Sequence, residues 1–142
     1  MLTGLHHVGY VVPDLDKAIA FYAETLGLRL DRRVFANAGR GVDFEVAIFR
    51  LGNGSTAIEL IRPTTETGPF ADYLRANPRG GLQHVAYTTA EPLVEAARKV
   101  QQCGLALAAL TAHGPIDVPT GWRVLNIDPA STQGLLTQLA EW

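Results

Sequence analysis

The chain has 142 residues and 47% of them are hydrophobic, which is enough for one domain or for two half-size modules that share a core. The formal net charge is −2 and charges of both signs are scattered, so the basic surface expected of a nucleic-acid or lipid binder is missing. The single cysteine, Cys103, excludes an internal disulfide and suits a reducing compartment. No segment approaches the ~18 apolar residues of a membrane span, and the first residues lack a signal-peptide pattern. We therefore expect a cytoplasmic protein that acts on small molecules or on other proteins.

Two stretches of the sequence repeat one another. Residues 5–30 read LHHVGYVVPDLDKAIAFYAETLGLRL, and residues 82–107 read LQHVAYTTAEPLVEAARKVQQCGLAL. Each copy has a histidine third and ends in Gly-Leu-x-Leu, and the histidine and the glycine are 20 positions apart in both. A repeat of this length predicts two related modules.

Each copy begins as a short strand rich in Val, Tyr and Thr, and a helix follows. In the first copy Asp14 is the expected N-cap and Gly27 the expected end of the helix. In the second copy Pro92 suits the first helical turn and Gly104 the end.

Three further strands are predicted in each copy. They are residues 28–34, 44–51 and 55–61, with a hairpin turn at LGNG, and residues 105–110, 122–127 and 134–139. The proline-rich residues 63–80 read as a crossover linker with about one helical turn near residues 70–76. The sequence thus predicts one α+β domain made of βαβββ module 1 (1–62), a linker (63–80) and βαβββ module 2 (81–142).

The repeated histidines, His7 and His84, occupy equal places in the two modules. If the modules pack about a pseudo-twofold axis, the two imidazoles can converge on one metal ion. A lone strand histidine is more often an ordinary core residue, but the duplication favours a ligand. The neighbouring His6 should point to the other face of the strand, so we interpret it as structural.

The last strand of each module carries a polar residue in an apolar setting. Glu59 follows His7 by 52 positions, and Gln138 follows His84 by 54. A buried carboxylate or amide needs a partner, so both are candidate oxygen ligands, with solvent-facing positions on a one-sided sheet as the alternative. Two imidazoles and two side-chain oxygens suit a divalent ion such as Co, Ni, Mn, Fe or Zn.

The sequence resembles the vicinal oxygen chelate superfamily, which includes glyoxalases, epimerases, extradiol dioxygenases and bleomycin-type resistance proteins. The likeness spans the chain and is strongest to the methylmalonyl-CoA epimerase branch, through LGNGSTAIELIRP, GGLQHVAYTT and NIDPASTQGLLTQL as well as the first repeat. It implies an open, cupped mixed sheet with a metal inside the cup, an acyl-CoA substrate and a homodimer. The family's metal ligands fall on His7, Glu59, His84 and Gln138.

Gln138 departs from that family, in which the final strand usually carries a glutamate that also takes part in proton transfer. An amide can bind metal through oxygen but cannot accept a proton near neutral pH. Glu45 lines up with the acid-base glutamate of the epimerases, with an outward-facing strand residue as the alternative. Epimerisation needs two proton carriers, and Glu45 and Glu59 are the available pair.

Four functions remain open at this level. The first is an epimerase, the second a glyoxalase-type lyase, and the third a protein that sequesters a small molecule without chemistry. A ring-cleaving oxygenase is disfavoured, because such enzymes usually place their carboxylate on the final strand. The loop with His113, Asp117 and Trp122 is a candidate cover for the substrate, and Arg32, Arg40 and Arg50 are candidate contacts for a phosphate or carboxylate, or else ordinary surface charges.

Overall fold

The computed structural model describes residues 1–37 and 43–142. The strands of this part are β1 (Leu2–Val11), β2 (Leu30–Asn37), β3 (Asp43–Leu51), β4 (Thr56–Pro63), β5 (Gly81–Thr89), β6 (Ile116–Asp117), β7 (Arg123–Asn126) and β8 (Thr137–Glu141). The α-helices are α1 (Leu15–Ala20), α2 (Pro69–Ala76) and α3 (Leu93–Gln102). Helix α1 continues as a π-helical segment, Phe21–Thr25, and short 3₁₀ turns lie at Ala109–Thr111 and Pro129–Ser131. None of the helices in the described part of the chain is long and apolar enough to cross a bilayer.

The chain divides into two compact units, and strand β1 contributes to both. One unit is Val8–Gln83, and the other combines Met1–His7 with His84–Trp142. The strand order is β2-β3-β4-β1 in the first and β1-β5-β8-β7-β6 in the second. Strands β5 and β8 are parallel, whereas the β2/β3, β3/β4, β6/β7 and β7/β8 pairs are antiparallel. The predicted α+β class with a mixed sheet is therefore confirmed.

Within Val8–Gln83, helix α1 starts as the sequence predicts. Asp14 Oδ1 accepts the Lys17 backbone N–H at 3.0 Å, which satisfies one of the donors exposed at a helix start. The buried Leu15 packs with Ala47, Phe49, Ile58 and Leu60 of β3 and β4. Each of the larger apolar side chains among them is worth about 1.5–3 kcal/mol on full burial. The β3/β4 face that carries these four residues therefore lies under α1.

The predicted turns of this unit are also present. Gly54 N–H donates to the Leu51 carbonyl at 2.9 Å and closes the hairpin between β3 and β4. The linker contains α2 and then Gly80, whose φ is +76°. A Cβ at Gly80 would collide with the carbonyl oxygen of Val11, so only glycine allows the linker to approach β1 this closely.

In the other unit, α3 supplies the apolar stripe that the sequence predicts. Leu93, Ala97 and Val100 are buried against Leu125 and Leu139 of β7 and β8. The predicted strand at residues 105–110 is wrong. Only Leu107 bridges to Ile127, and a 3₁₀ turn follows, because Thr111 Oγ1 bonds both the N–H and the carbonyl of Asn126 at 3.0 and 3.1 Å. The short β6 lies instead inside the segment expected to be a loop.

Candidate metal centre

The two repeated histidines meet because β1 and β5 run in opposite directions. Ala90 N–H donates to the Met1 carbonyl at 2.8 Å, and the hydroxyls of Thr3 and Thr88 lie 2.9 Å apart. Continuing this register by four residues along each strand brings His7 opposite His84. Their Nε2 atoms are 3.0 Å apart, and both side chains are buried. Ring nitrogens bind divalent ions at about 2.1 Å, so two nitrogens at this separation can reach one cation.

His7 is held neutral by its surroundings. Burial, followed by the nearby His84 and His6 rings, lowers the pKa of His7 from 6.5 to about 2. A neutral imidazole carries one N–H and one lone pair, and the lone pair is the metal-binding form. His7 therefore needs no deprotonation at neutral pH before it can act as a ligand.

Glu59 lies in the middle of β4 among fully or almost fully buried residues. It is 7% exposed, and its neighbours Ile58 and Leu60 are 8% and 1% exposed, so the solvent-facing alternative for Glu59 is wrong. Glu59 is thus a buried carboxylate of the unit Val8–Gln83, and His7 and His84 are buried imidazoles of the other unit. Two imidazoles and a carboxylate are a donor set suited to zinc, iron, cobalt, nickel or manganese.

Gln138 presents a buried oxygen with a fixed direction. Its register with Ala86 places it on the same sheet face as His84, two residues away on β5. The Gln138 Nε2 donates to Asn126 Oδ1 at 2.9 Å. Among the residues that the structure describes, no group donates a hydrogen bond to the buried Gln138 Oε1. A buried acceptor left this way costs about 1–3 kcal/mol, a cost that a bound cation would remove, so this oxygen fits a metal site.

Trp122 packs against the histidines. Trp122 is 3% exposed, and its ring lies 4.5 Å from that of His7. The sequence placed Trp122 in or beside a loop over the substrate, but the structure places it in the wall of the histidine cluster. His113 and Asp117, the other candidates from that loop, are exposed.

His6 is the residue that sequence reasoning undervalued. Its ring is fully buried, and its Nδ1 lies 2.8 Å from the Nδ1 of His7. Strand alternation predicts opposite faces for adjacent residues, yet rotation about the side-chain bonds brings the two rings together. The pair of adjacent histidines in an apolar strand was the available signal.

Glu45 requires a correction. Strand β3 pairs Ile48 with Glu59 and Glu45 with Arg62, so Glu45, three residues from Ile48, projects from the face opposite to Glu59. Its Oε2 accepts hydrogen bonds from Arg33 at 3.2 Å and from Arg62 at 3.4 Å. The predicted acid-base pair of Glu45 and Glu59 is therefore not assembled, because strand alternation separates the two carboxylates.

Two of the arginine candidates pair with one carboxylate, that of Asp31. Arg32 and Arg50 both donate to Asp31 Oδ2, at 3.1 and 3.3 Å. Burial raises the pKa of Asp31, but the hydrogen bonds from Arg50 and Arg32 together outweigh it, so the pKa lies below its usual value. Arg40 lies outside the described residues.

Comparison with known proteins gives one consistent family. The model of the Glyoxalase/Bleomycin resistance protein/Dioxygenase superfamily matches residues 6–125. An ethylmalonyl-CoA/methylmalonyl-CoA epimerase of Cereibacter sphaeroides is 30% identical over 99% of both chains. The crystal structure of the methylmalonyl-CoA epimerase of Mycobacterium tuberculosis has a TM-score of 0.83 and 28% identity, and the match covers 99% of this chain and 88% of that one.

A second solved structure points the same way. A variant of the Streptomyces coelicolor methylmalonyl-CoA epimerase in complex with 2-nitronate-propionyl-CoA has a TM-score of 0.80 at 25% identity, with 99% of this chain and 97% of that chain covered. The resemblance predicted from the repeated motifs and the glyoxalase-like fold are both confirmed. The chain belongs to the Glyoxalase/Bleomycin resistance protein/Dioxygenase superfamily and is similar over its whole length to epimerases of that superfamily.

Proposed function

We propose that this chain is a metal-dependent epimerase of a substituted malonyl thioester of coenzyme A. The observation that carries the proposal is the pair of buried histidines, His7 and His84, whose Nε2 atoms lie 3.0 Å apart. It occurs in a chain that aligns over its full length with an epimerase that acts on ethylmalonyl-CoA and methylmalonyl-CoA. Methyl- and ethylmalonyl-CoA are therefore the first substrates to test.

The residues that would hold the metal are His7, His84, Glu59 and Gln138. All four offer a nitrogen or oxygen donor that is suited to Co, Ni, Mn, Fe or Zn. A divalent ion held here would act as a Lewis acid on the substrate's carbonyl oxygens while the α-proton leaves. Gln138 contributes a neutral oxygen whose direction is set by the hydrogen bond to Asn126.

We propose that a carboxylate oxygen of Glu59 removes the α-proton from one face of the α-carbon and that a proton derived from solvent is returned to the other face. Glu59 is a carboxylate buried in an apolar strand. Gln138 cannot take this role, because an amide oxygen does not accept a proton near neutral pH.

The position of Glu45 supports a second candidate function. Epimerisation returns a proton to the opposite face of the α-carbon, and Glu45 does not supply it from its pairing with Arg33 and Arg62. A chain that binds the thioester at this site without transferring a proton would sequester it.

Deuterium exchange separates the two candidates. A single epimer of methylmalonyl-CoA is incubated in D₂O with Co²⁺- or Zn²⁺-loaded protein, and proton NMR follows the α-hydrogen while circular dichroism follows the epimer ratio. We expect both exchange and epimerisation above the rate without protein, and both should be lost in Glu59→Ala. Glu24→Ala, which alters an exposed glutamate, is the matched control. Binding without exchange would replace the epimerase by sequestration.

The proposal also covers the oligomeric state and the cellular location. We propose a homodimer, as the family resemblance implies, and a cytoplasmic location, which suits a chain with one cysteine. Sedimentation equilibrium of the purified protein tests the dimer, for which the mass expected of one chain is 15.3 kDa.

A further inference from the structure

His6 has no role in the proposed reaction, yet its ring lies directly against the proposed metal ligand His7. It is fully buried, and its Nδ1 lies 2.8 Å from the Nδ1 of His7. On the other side of the His7 ring, Nε2 lies 3.0 Å from the Nε2 of His84. The three imidazoles therefore form a row in which each nitrogen of His7 faces a nitrogen of another ring.

Counting protons along this row assigns a tautomer to each ring. A neutral imidazole has one N–H, and a nitrogen that binds a cation must keep its lone pair. The Nε2 of His7 is the nitrogen that shares the cluster with His84, so the proton of a metal-binding His7 lies on Nδ1. That proton points at His6, which can accept it only if the proton of His6 is on Nε2.

Two tryptophans fix the plane of the acceptor ring. Trp142 stacks on His6 with ring centroids 3.7 Å apart and an interplanar angle of 24°. Trp122 meets the His6 ring edge at 5.0 Å and 83°. The direction of the His6 Nδ1 lone pair is thus set by packing as well as by the strand.

We propose that His6 is a positioning residue for the metal ligand His7. Its Nδ1 accepts the Nδ1–H of His7, selects the tautomer with a lone pair on Nε2 and holds that ring toward the cation. The inference rests on the metal centre of the proposed function. A partner that orients a ligating histidine typically contributes about 10–100-fold in metal affinity.

Metal affinity of matched variants tests this role. Dissociation constants for Zn²⁺ and Co²⁺ are measured by chelator competition for wild type, His6→Phe and His6→Asn, with His113→Phe as the control. Phenylalanine keeps a flat ring against Trp142 but has no acceptor, so we expect binding about 10–100-fold weaker than wild type. Asparagine restores an acceptor close to the position of Nδ1, so its affinity should lie within about threefold of wild type, as should that of His113→Phe.

A direct measurement covers the case in which His6→Phe does not fold. In the Zn²⁺-loaded wild type with ¹⁵N-labelled histidine, we expect His7 to be the Nδ1–H tautomer and to show a nitrogen–nitrogen coupling to His6 Nδ1 through the hydrogen bond. Absence of this coupling, or wild-type metal affinity in His6→Phe, overturns the role of His6 and leaves the metal centre intact. A wild type that binds neither ion overturns the proposed function itself.

Discussion

The two modules keep the same first strand and differ in the last one. His7 on β1 and His84 on β5 are equivalent and lie 3.0 Å apart at Nε2. The polar residue of β4 is a carboxylate buried between apolar neighbours, whereas that of β8 is an amide tied to Asn126. Both shared histidines therefore offer a nitrogen donor, and the proposed proton transfer falls to the carboxylate on β4.

The outer strands differ even more than the ligands. Strands β2, β3 and β4 have 8, 9 and 8 residues, whereas β6, β7 and β8 have 2, 4 and 5. Helix α3 nevertheless packs on the shorter strands β7 and β8 through Leu125 and Leu139.

The largest effect is expected when both repeated histidines are removed. The double variant His7→Ala/His84→Ala loses both nitrogen donors, so its metal content after dialysis should fall from about one ion per chain to background. Each single variant should weaken binding by a similar factor, at least about 10-fold, because the two histidines are equivalent. Elemental analysis and chelator competition measure this, with His113→Ala as control. Unequal single variants would contradict the equivalence of the two modules.

The next effect comes from exchanging the two unequal ligands. Glu59→Gln keeps an oxygen donor but removes the proton acceptor, so α-proton exchange should fall by about 10²–10⁴-fold while metal stays bound. Gln138→Glu in the same chain moves the carboxylate to β8 and should recover part of the exchange. NMR of the thioester in D₂O measures the rates. A wild-type rate of α-proton exchange in Glu59→Gln would show that Glu59 is not the proton carrier.

A smaller effect is expected at Asn126, which holds the amide of Gln138. Asn126→Ala removes the acceptor of the 2.9 Å hydrogen bond and allows the Gln138 side chain to turn, so metal affinity should fall by about 10-fold. Asn126→Asp retains an oxygen at this position and is the matched comparison. Calorimetric titration with Co²⁺ gives both affinities, and equal values for Asn126→Ala and wild type would show that Gln138 does not bind the ion.

The repeat, the helix caps and the convergence of the histidines could be predicted from sequence because each depends on local pattern or on symmetry. Asp14 and Gly27 mark helix ends by their own chemistry, and antiparallel pairing then brings His7 opposite His84. Residues 105–110 read as a strand because an apolar run does not reveal that Thr111 ends the pairing.

Contacts that depend on side-chain rotation or on strand register were not predictable in the same way. The ring contact of His6 with His7 comes from side-chain torsions that strand alternation does not specify. Whether Glu45 and Glu59 lie on the same face of the sheet depends on the register of β3 against β4. The alternation of side chains within one strand does not determine that register. The family resemblance suggested an acid-base role for Glu45. The strand register shows on which face of the sheet Glu45 lies.

The smallest effect is therefore expected at Glu45, the residue assigned by resemblance alone. Glu45→Gln weakens two partly exposed ion pairs, with Arg33 and Arg62, which should lower the free energy of unfolding by about 0.2–1 kcal/mol. Because its side chain projects from the face opposite to Glu59, α-proton exchange should stay within about twofold of wild type, against the 10²–10⁴-fold loss expected for Glu59→Gln. Urea unfolding and exchange kinetics on the same samples check both values. A 100-fold loss of exchange in a stably folded Glu45→Gln would show that Glu45 takes part in proton transfer together with Glu59.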